Sequence, residues 1–196
     1  RNGLRRGRVR AAALTGGAHP PVQRVRVDRR IPDHPACPRA TVRAEPLVDG
    51  SVRAAILKRP DGRLAHVESE YNDIYVTKRR GELTMSFQLK GWDYTESVTD
   101  LQDMDALPLR YAQVMSIATI YPEETKKILM LGLGGGSLST YLGRFMPDAA
   151  IDTVEIDRRV IAVAKQYFGL RETARVRYLD GDGRVFLNRN KGLYDL

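Results

Sequence analysis

Five residues in the second half of the chain have the types and spacing that hold a nucleoside. Gly132, Gly134 and Gly136 follow an apolar run and precede a helix pattern. Glu155 ends the next apolar run, and Asp182 follows the third. Glycines let the backbone approach a ligand closely, and a carboxylate at the end of the second strand accepts hydrogen bonds from both ribose hydroxyls. The pattern predicts a nucleoside site rather than a purely structural turn.

The glycine spacing bears on which nucleoside is bound. A dinucleotide site has the pattern G-x-G-x-x-G, with the pyrophosphate at the helix N-terminus. Here Gly136 comes one residue earlier than that pattern requires, and Ser137 follows it. The spacing favours an adenosyl-sulfonium ligand, which carries no phosphate, and NAD is the alternative.

Alternating strand and helix patterns position these residues. The apolar run 128–131 predicts a parallel strand covered on both faces. Ser137, Asp157 and Asp182 are predicted to cap the three following helices. Further strands are predicted at 151–156 and 176–179, and a fourth begins at 194. Residues 107–196 therefore read as a Rossmann-like nucleoside-binding domain of the α/β class.

The preceding segment, 51–106, has hairpin patterns. Residues 52–58 and 64–67 are predicted to pair across a Pro-Asp-Gly turn, and 74–77 to pair with 83–87. From Pro108 a helix is predicted, with Tyr111, Val114, Met115 and Ala118 on one apolar face.

The positive charge of the chain is concentrated in residues 1–50. The whole chain has a net charge of +8, and this segment alone has eleven arginines and four acidic residues. It has no aromatic residue, so we expect a disordered tail with no specific nucleic-acid site. Cys37 is the only cysteine, and no apolar run is long enough to span a bilayer, so a cytoplasmic setting is expected.

At this point the chain resembles the spermidine synthase family, the polyamine aminopropyltransferases, and in particular a divergent bacterial branch. The resemblance covers roughly residues 66–196. It implies a β-hairpin module followed by a Rossmann-like domain of the class I methyltransferase type. The matching segments are Ser69–Ile74, Leu83–Phe87, Asp93–Glu96, the glycine loop, Val154–Asp157 and Gly181–Phe186.

The resemblance implies roles for individual residues. Glu155 matches the acid that holds the ribose, and Asp182 and Gly183 match the pair bordering the adenine. Tyr71 matches a tyrosine bordering the active-site pocket, and is our candidate catalytic residue. Asn72 stands where the family has glutamine and is assigned with the glycine loop to the cofactor site. No metal is implied.

The amine half of the site departs from the family pattern. Tyr94-Thr95-Glu96 replaces Tyr-His-Glu, which leaves Tyr94 and Glu96 as candidate substrate-binding residues. Gly135 replaces the loop aspartate that contacts the aminopropyl nitrogen. The family's catalytic aspartate lies beyond Leu196, so we expect these 196 residues to be an incomplete, marginally stable and inactive N-terminal fragment of an enzyme.

Three functions follow from this pattern. The first is transfer of an aminopropyl group from decarboxylated S-adenosylmethionine to putrescine or a related amine, by a parent that forms homo-oligomers. The second is methyl transfer from S-adenosylmethionine. The third is an inactive nucleoside-binding homologue.

Overall fold

The computed structural model describes residues 46–89 and 92–196, and the predicted tail lies outside the described residues up to position 45. Five α-helices and seven strands are present in these ranges, together with a short 3₁₀ helix at Ala118–Ile120 and a short π-helix at Ala164–Phe168. The helices are α1 (Gly50–Lys58), α2 (Arg110–Ile117), α3 (Ser137–Phe145), α4 (Arg158–Val163) and α5 (Gly183–Arg189). The strands are β1 (Gly62–Glu68), β2 (Asp73–Arg79), β3 (Glu82–Leu89), β4 (Trp92–Asp100), β5 (Lys127–Leu131), β6 (Ala150–Glu155) and β7 (Val176–Asp180).

The first four strands form one antiparallel sheet in the order β1-β2-β3-β4. Alternating residues of β2 and β3 are fully buried, and these are Ile74, Val76, Leu83 and Met85. The predicted hairpin of 74–77 with 83–87 is confirmed, because β2 pairs with β3. The other predicted hairpin is wrong, because β1 pairs with β2 and not with residues 52–58.

Residues 52–58 form part of helix α1 and not the predicted strand. Asp49 caps this helix, since its side chain accepts a hydrogen bond from the Ser51 N–H at 2.9 Å. After Val52 the segment is rich in alanine, leucine and other strong helix formers, and this propensity outweighs the short apolar run. Leu47, within the predicted tail, is buried in the core.

The second sheet is parallel, in the order β5-β6-β7. The segment 194–196 continues it on the open side of β5, because the Leu129 N–H donates to Leu196 O at 2.8 Å and the Asp195 N–H donates to Lys127 O at 2.9 Å. Asp152 holds the sheet together laterally through two hydrogen bonds from Arg177, each 2.6 Å, and one from the Tyr194 hydroxyl at 2.8 Å.

Two details of the predicted helices are wrong. The N-cap of α3 is Gly136, with no side-chain cap, because the Ser137 hydroxyl instead donates to Val98 O in β4 at 2.9 Å. In α2 the buried residue is Ala112, while Tyr111, Val114 and Met115 of the predicted apolar face are 51%, 67% and 49% exposed. The described elements pack against the Ala112 side of this helix.

The α/β fold class is confirmed, with the antiparallel sheet first and the Rossmann-like parallel sheet second. The predicted caps Asp157 and Asp182 are also confirmed, since they accept hydrogen bonds from the Arg159 and Val185 N–H groups respectively. Within the described residues, no helix combines the length and hydropathy that crossing a membrane requires.

Candidate functional site

Glu155 is the residue around which the site is built. It ends β6, is only 8% exposed, and lies beside the glycine loop that follows β5. Its Oε2 accepts a hydrogen bond from the Leu133 N–H at 2.8 Å, and its Oε1 accepts one from the Asp157 N–H at 3.0 Å. Each carboxylate oxygen has two lone pairs, so two further acceptor positions remain for a ligand.

The glycine loop is shaped by positive backbone dihedrals. Gly132, Gly134 and Gly136 have φ angles of 92°, 56° and 75°, which residues with a Cβ rarely adopt. A Cβ on Gly136 would lie 2.2 Å from Leu170 Cδ1, so this glycine also allows close packing. A Cβ on Gly132 would meet nothing within 4 Å, which leaves space for a ligand at that position.

A cavity of about 220 Å³, which we call the loop cavity, opens where β5 and β6 end. Glu96, Gly132, Gly134 and Glu155 are among its lining residues. Burial, and then the nearby charge of Glu155, raise the pKa of the Glu96 carboxyl above its usual range. Two carboxylates facing one small cavity favour a cationic ligand, because a cation relieves their mutual repulsion.

A second cavity of about 600 Å³, which we call the outer cavity, lies at the carboxyl ends of β6 and β7. The turn between β1 and β2 forms one wall through Ser69 and Tyr71, and Asp157, Arg158 and Asp180 form another. Tyr71 is 49% exposed, so it is not a core residue. Polar groups from both sheets therefore border this space.

The Ser69 hydroxyl joins the two sheets beside the outer cavity. It donates to Asp157 Oδ2 at 2.5 Å and also accepts hydrogen bonds from the Tyr71 and Asn72 N–H groups. Asp157 is 2% exposed and caps α4 with its other oxygen. One serine thus fixes the turn that carries Tyr71 and attaches that turn to the parallel sheet.

Comparisons with known proteins bear on this arrangement. No family model matches the chain. A polyamine aminopropyltransferase of Chromobacterium violaceum is 33% identical over 106 residues, covering 54% of this chain and 41% of that relative. The crystal structure of a probable spermidine synthase from Corynebacterium glutamicum superposes with a TM-score of 0.53 at 18% identity, over 65% of this chain and 47% of that one. The chain is related to the spermidine synthase family.

Methyltransferases also match, over a shorter segment. The eEF1A lysine and N-terminal methyltransferase homolog of Drosophila melanogaster is 42% identical over 64 residues, which are 33% of this chain and 10% of that relative. The chain spans about 41% of the length of the aminopropyltransferase that it matches. The chain is thus similar in sequence to both aminopropyltransferases and methyltransferases.

The remaining residues that the spermidine synthase resemblance singled out are more dispersed. Asp182 is exposed and caps α5, while a Cβ on Gly183 would lie 3.0 Å from Leu131, a lining residue of the loop cavity. Tyr94 is 51% exposed on β4, opposite Phe87. Asn72 is half-buried, and its backbone carbonyl accepts a hydrogen bond from the Ser69 N–H.

Gly135 lies away from the loop-cavity surface. It is buried, and a Cβ there would lie 2.6 Å from Phe168 Cε1 and 2.9 Å from Ser97 Oγ. The aspartate that the spermidine synthase family has at this position would not fit without displacing these neighbours. This glycine is therefore required by packing, which the sequence pattern did not indicate.

Sequence reasoning assigned no role to Ser69, Asp157 or Asp180 at the site. Asp157 was expected only as a helix cap, and its contact with Ser69 joins residues 88 positions apart. Asp180 had a usable signal, because it ends the third strand of the parallel sheet, where ligands bind in such folds.

Proposed function

We propose that the chain forms the nucleoside-binding part of an aminopropyltransferase that uses decarboxylated S-adenosylmethionine and putrescine or a related amine. The observation that carries this proposal is the position of Glu155, hydrogen-bonded to the glycine loop at the mouth of the loop cavity. The ribose hydroxyls would take its two remaining acceptor positions, and the adenine would lie toward Asp182 and Gly183. The similarity to a relative named polyamine aminopropyltransferase supports aminopropyl transfer as the reaction class.

The acceptor amine imposes a second requirement. Polyamines are protonated at neutral pH, so a carboxylate must hold the cation and accept its proton. The neutral nitrogen then attacks the carbon beside the sulfonium, the C–S bond breaks, and the sulfur leaves as a neutral thioether. Glu96 is a suitable group, because its raised pKa makes it a stronger base than an exposed glutamate. Tyr71, Asn72 and Tyr94, on the antiparallel sheet and its turn, are proposed to border the acceptor.

Methyl transfer from S-adenosylmethionine is the second candidate, and Gly135 favours it. Because Phe168 and Ser97 fill the space where a side chain would begin, this position supplies no acid to repel the carboxylate of S-adenosylmethionine. The match to eEF1A lysine methyltransferases points in the same direction.

Calorimetric titration of the chain with both ligands distinguishes these functions. Tighter binding of decarboxylated S-adenosylmethionine supports aminopropyl transfer, and tighter binding of S-adenosylmethionine supports methyl transfer. Glu155→Gln should weaken either ligand by about 100-fold, since a charged hydrogen-bond acceptor is worth about 1.5–3 kcal/mol. Asp148→Asn is the control, because Asp148 is an exposed acid before the start of β6, at the opposite end of that strand from Glu155, and should have a much smaller effect. Absence of affinity for both ligands would contradict both proposals.

A further inference from the structure

The solvent face of the β1–β2 hairpin has a cluster of potential metal ligands at its open end. His66 and Glu68 are two residues apart on β1, so their side chains lie on the same face of the strand. Asp73 of β2 is paired directly with Glu68. One ligand atom from each of the three residues lies within 4.8 Å of the other two.

The imidazole of this cluster is held in a defined orientation. The His66 ring stacks on Tyr75, its partner across the strands, with ring centroids 4.3 Å apart and planes at 9°. The guanidinium of Arg63 also contacts the Tyr75 ring, 4.6 Å from its centroid. The stacked ring places His66 Nε2 at 3.4 Å from Asp73 Oδ1. A ligand that is already oriented loses less entropy when a metal binds.

The separation of these two atoms matches that of two ligands on one cation. A hydrogen bond between nitrogen and oxygen is usually 2.7–3.2 Å long, so 3.4 Å is long for one. Two ligand atoms at about 2.0–2.1 Å from a tetrahedral Zn²⁺ are about 3.3 Å apart. The His66 and Asp73 side chains are 37% and 43% exposed, so a cation can reach them and keep water in its remaining positions.

We propose that His66, Glu68 and Asp73 form a divalent-metal site, with Zn²⁺ as the cation that suits one imidazole and two carboxylates. The site lies on the outer face of the antiparallel sheet, apart from the loop cavity. Glu68 also borders the outer cavity. Bound Zn²⁺ would therefore neutralise a carboxylate at the edge of that cavity.

Calorimetric titration of the full chain with Zn²⁺ tests the proposal. One equivalent should bind and raise the melting temperature, because the ligands converge only in the folded hairpin. His66→Gln and Asp73→Asn should each weaken Zn²⁺ binding more than tenfold, since even loss of a residue that only supports a ligand costs about 10- to 100-fold. Glu70→Gln is the matched control, an exposed acid of the adjoining turn outside the cluster, and should leave the affinity unchanged.

The other imidazoles and the thiol of the chain are His19, His34 and Cys37. A variant with His19→Gln, His34→Gln and Cys37→Ser should retain the bound equivalent. Loss of Zn²⁺ from that variant with retention in His66→Gln would overturn the proposal, as would unchanged affinity in Asp73→Asn. Imidazole ¹⁵N spectra give an independent readout, because Zn²⁺ should shift the one ring whose signals are missing in His66→Gln.

Discussion

The two sheets hold their candidate site residues in different ways. In the parallel sheet, Glu155 and Asp182 each accept hydrogen bonds from backbone N–H groups of a loop or helix terminus. In the antiparallel sheet and its turn, Tyr71 and Tyr94 are half exposed, and Glu96 is partly buried. The proposed nucleoside half is thus fixed by the backbone, whereas the proposed acceptor half depends on side chains.

The largest effect is expected from substitutions in the glycine loop after β5, which test how strictly the backbone conformation fixes this part of the site. Gly136→Ala should lower the free energy of unfolding by about 3 kcal/mol or more, because it combines a positive φ with a Cβ placed 2.2 Å from Leu170. Gly132→Ala has a positive φ but open space, so it should cost only about 1–2 kcal/mol. Urea unfolding measures both. Equal losses would show that packing behind the loop contributes nothing.

An intermediate effect is expected where the two sheets meet. Ser69→Ala removes the hydroxyl that donates to the buried Asp157 and should cost about 1–3 kcal/mol, since the acid loses a partner that it cannot replace with bulk water. Ser116→Ala is the control, because that hydroxyl bonds only within α2 and should be worth at most about 0.5 kcal/mol.

Ligand binding sharpens the Ser69 test. The variant should also weaken binding of the adenosyl ligand, since Ser69 fixes the turn that carries Tyr71. A Ser69→Ala protein with unchanged stability and unchanged ligand affinity would show that the two sheets act independently.

The smallest effect concerns Glu96 and pH. Its pKa is raised in the folded state by burial and by Glu155, so it binds protons more tightly there than in the unfolded chain. The stability from this group is therefore full below its unfolded pKa and is lost as the pH rises through the folded value. Glu96→Gln should abolish this pH-dependent loss of stability. The loss itself should be less than about 1 kcal/mol, because the carboxyl group is partly solvated. Denaturant midpoints measured from pH 4 to pH 8 should converge at the acidic end.

Much of the parallel half could be predicted from sequence because its signals are local. An apolar run, a glycine turn and an acid at the next strand end follow one another within the 28 residues from 128 to 155. The caps Asp157 and Asp182 were predictable for the same reason, since a cap acts on N–H groups two or three residues away. The antiparallel half was predicted less well, because the pairing of β1 with β2 rather than with residues 52–58 depends on competing partners.

By itself, the sequence determined the order of the two sheets, the glycine loop and the acid that follows the next strand, and the relationship to a transferase family. Only the tertiary structure decided that Ser137 bonds to β4 instead of capping α3, that Gly135 is needed against Phe168, and that Ser69 reaches Asp157. Helix caps and strand patterns depend on neighbours along the chain. These three contacts join residues 33 to 88 positions apart, so no short stretch of sequence contains both partners.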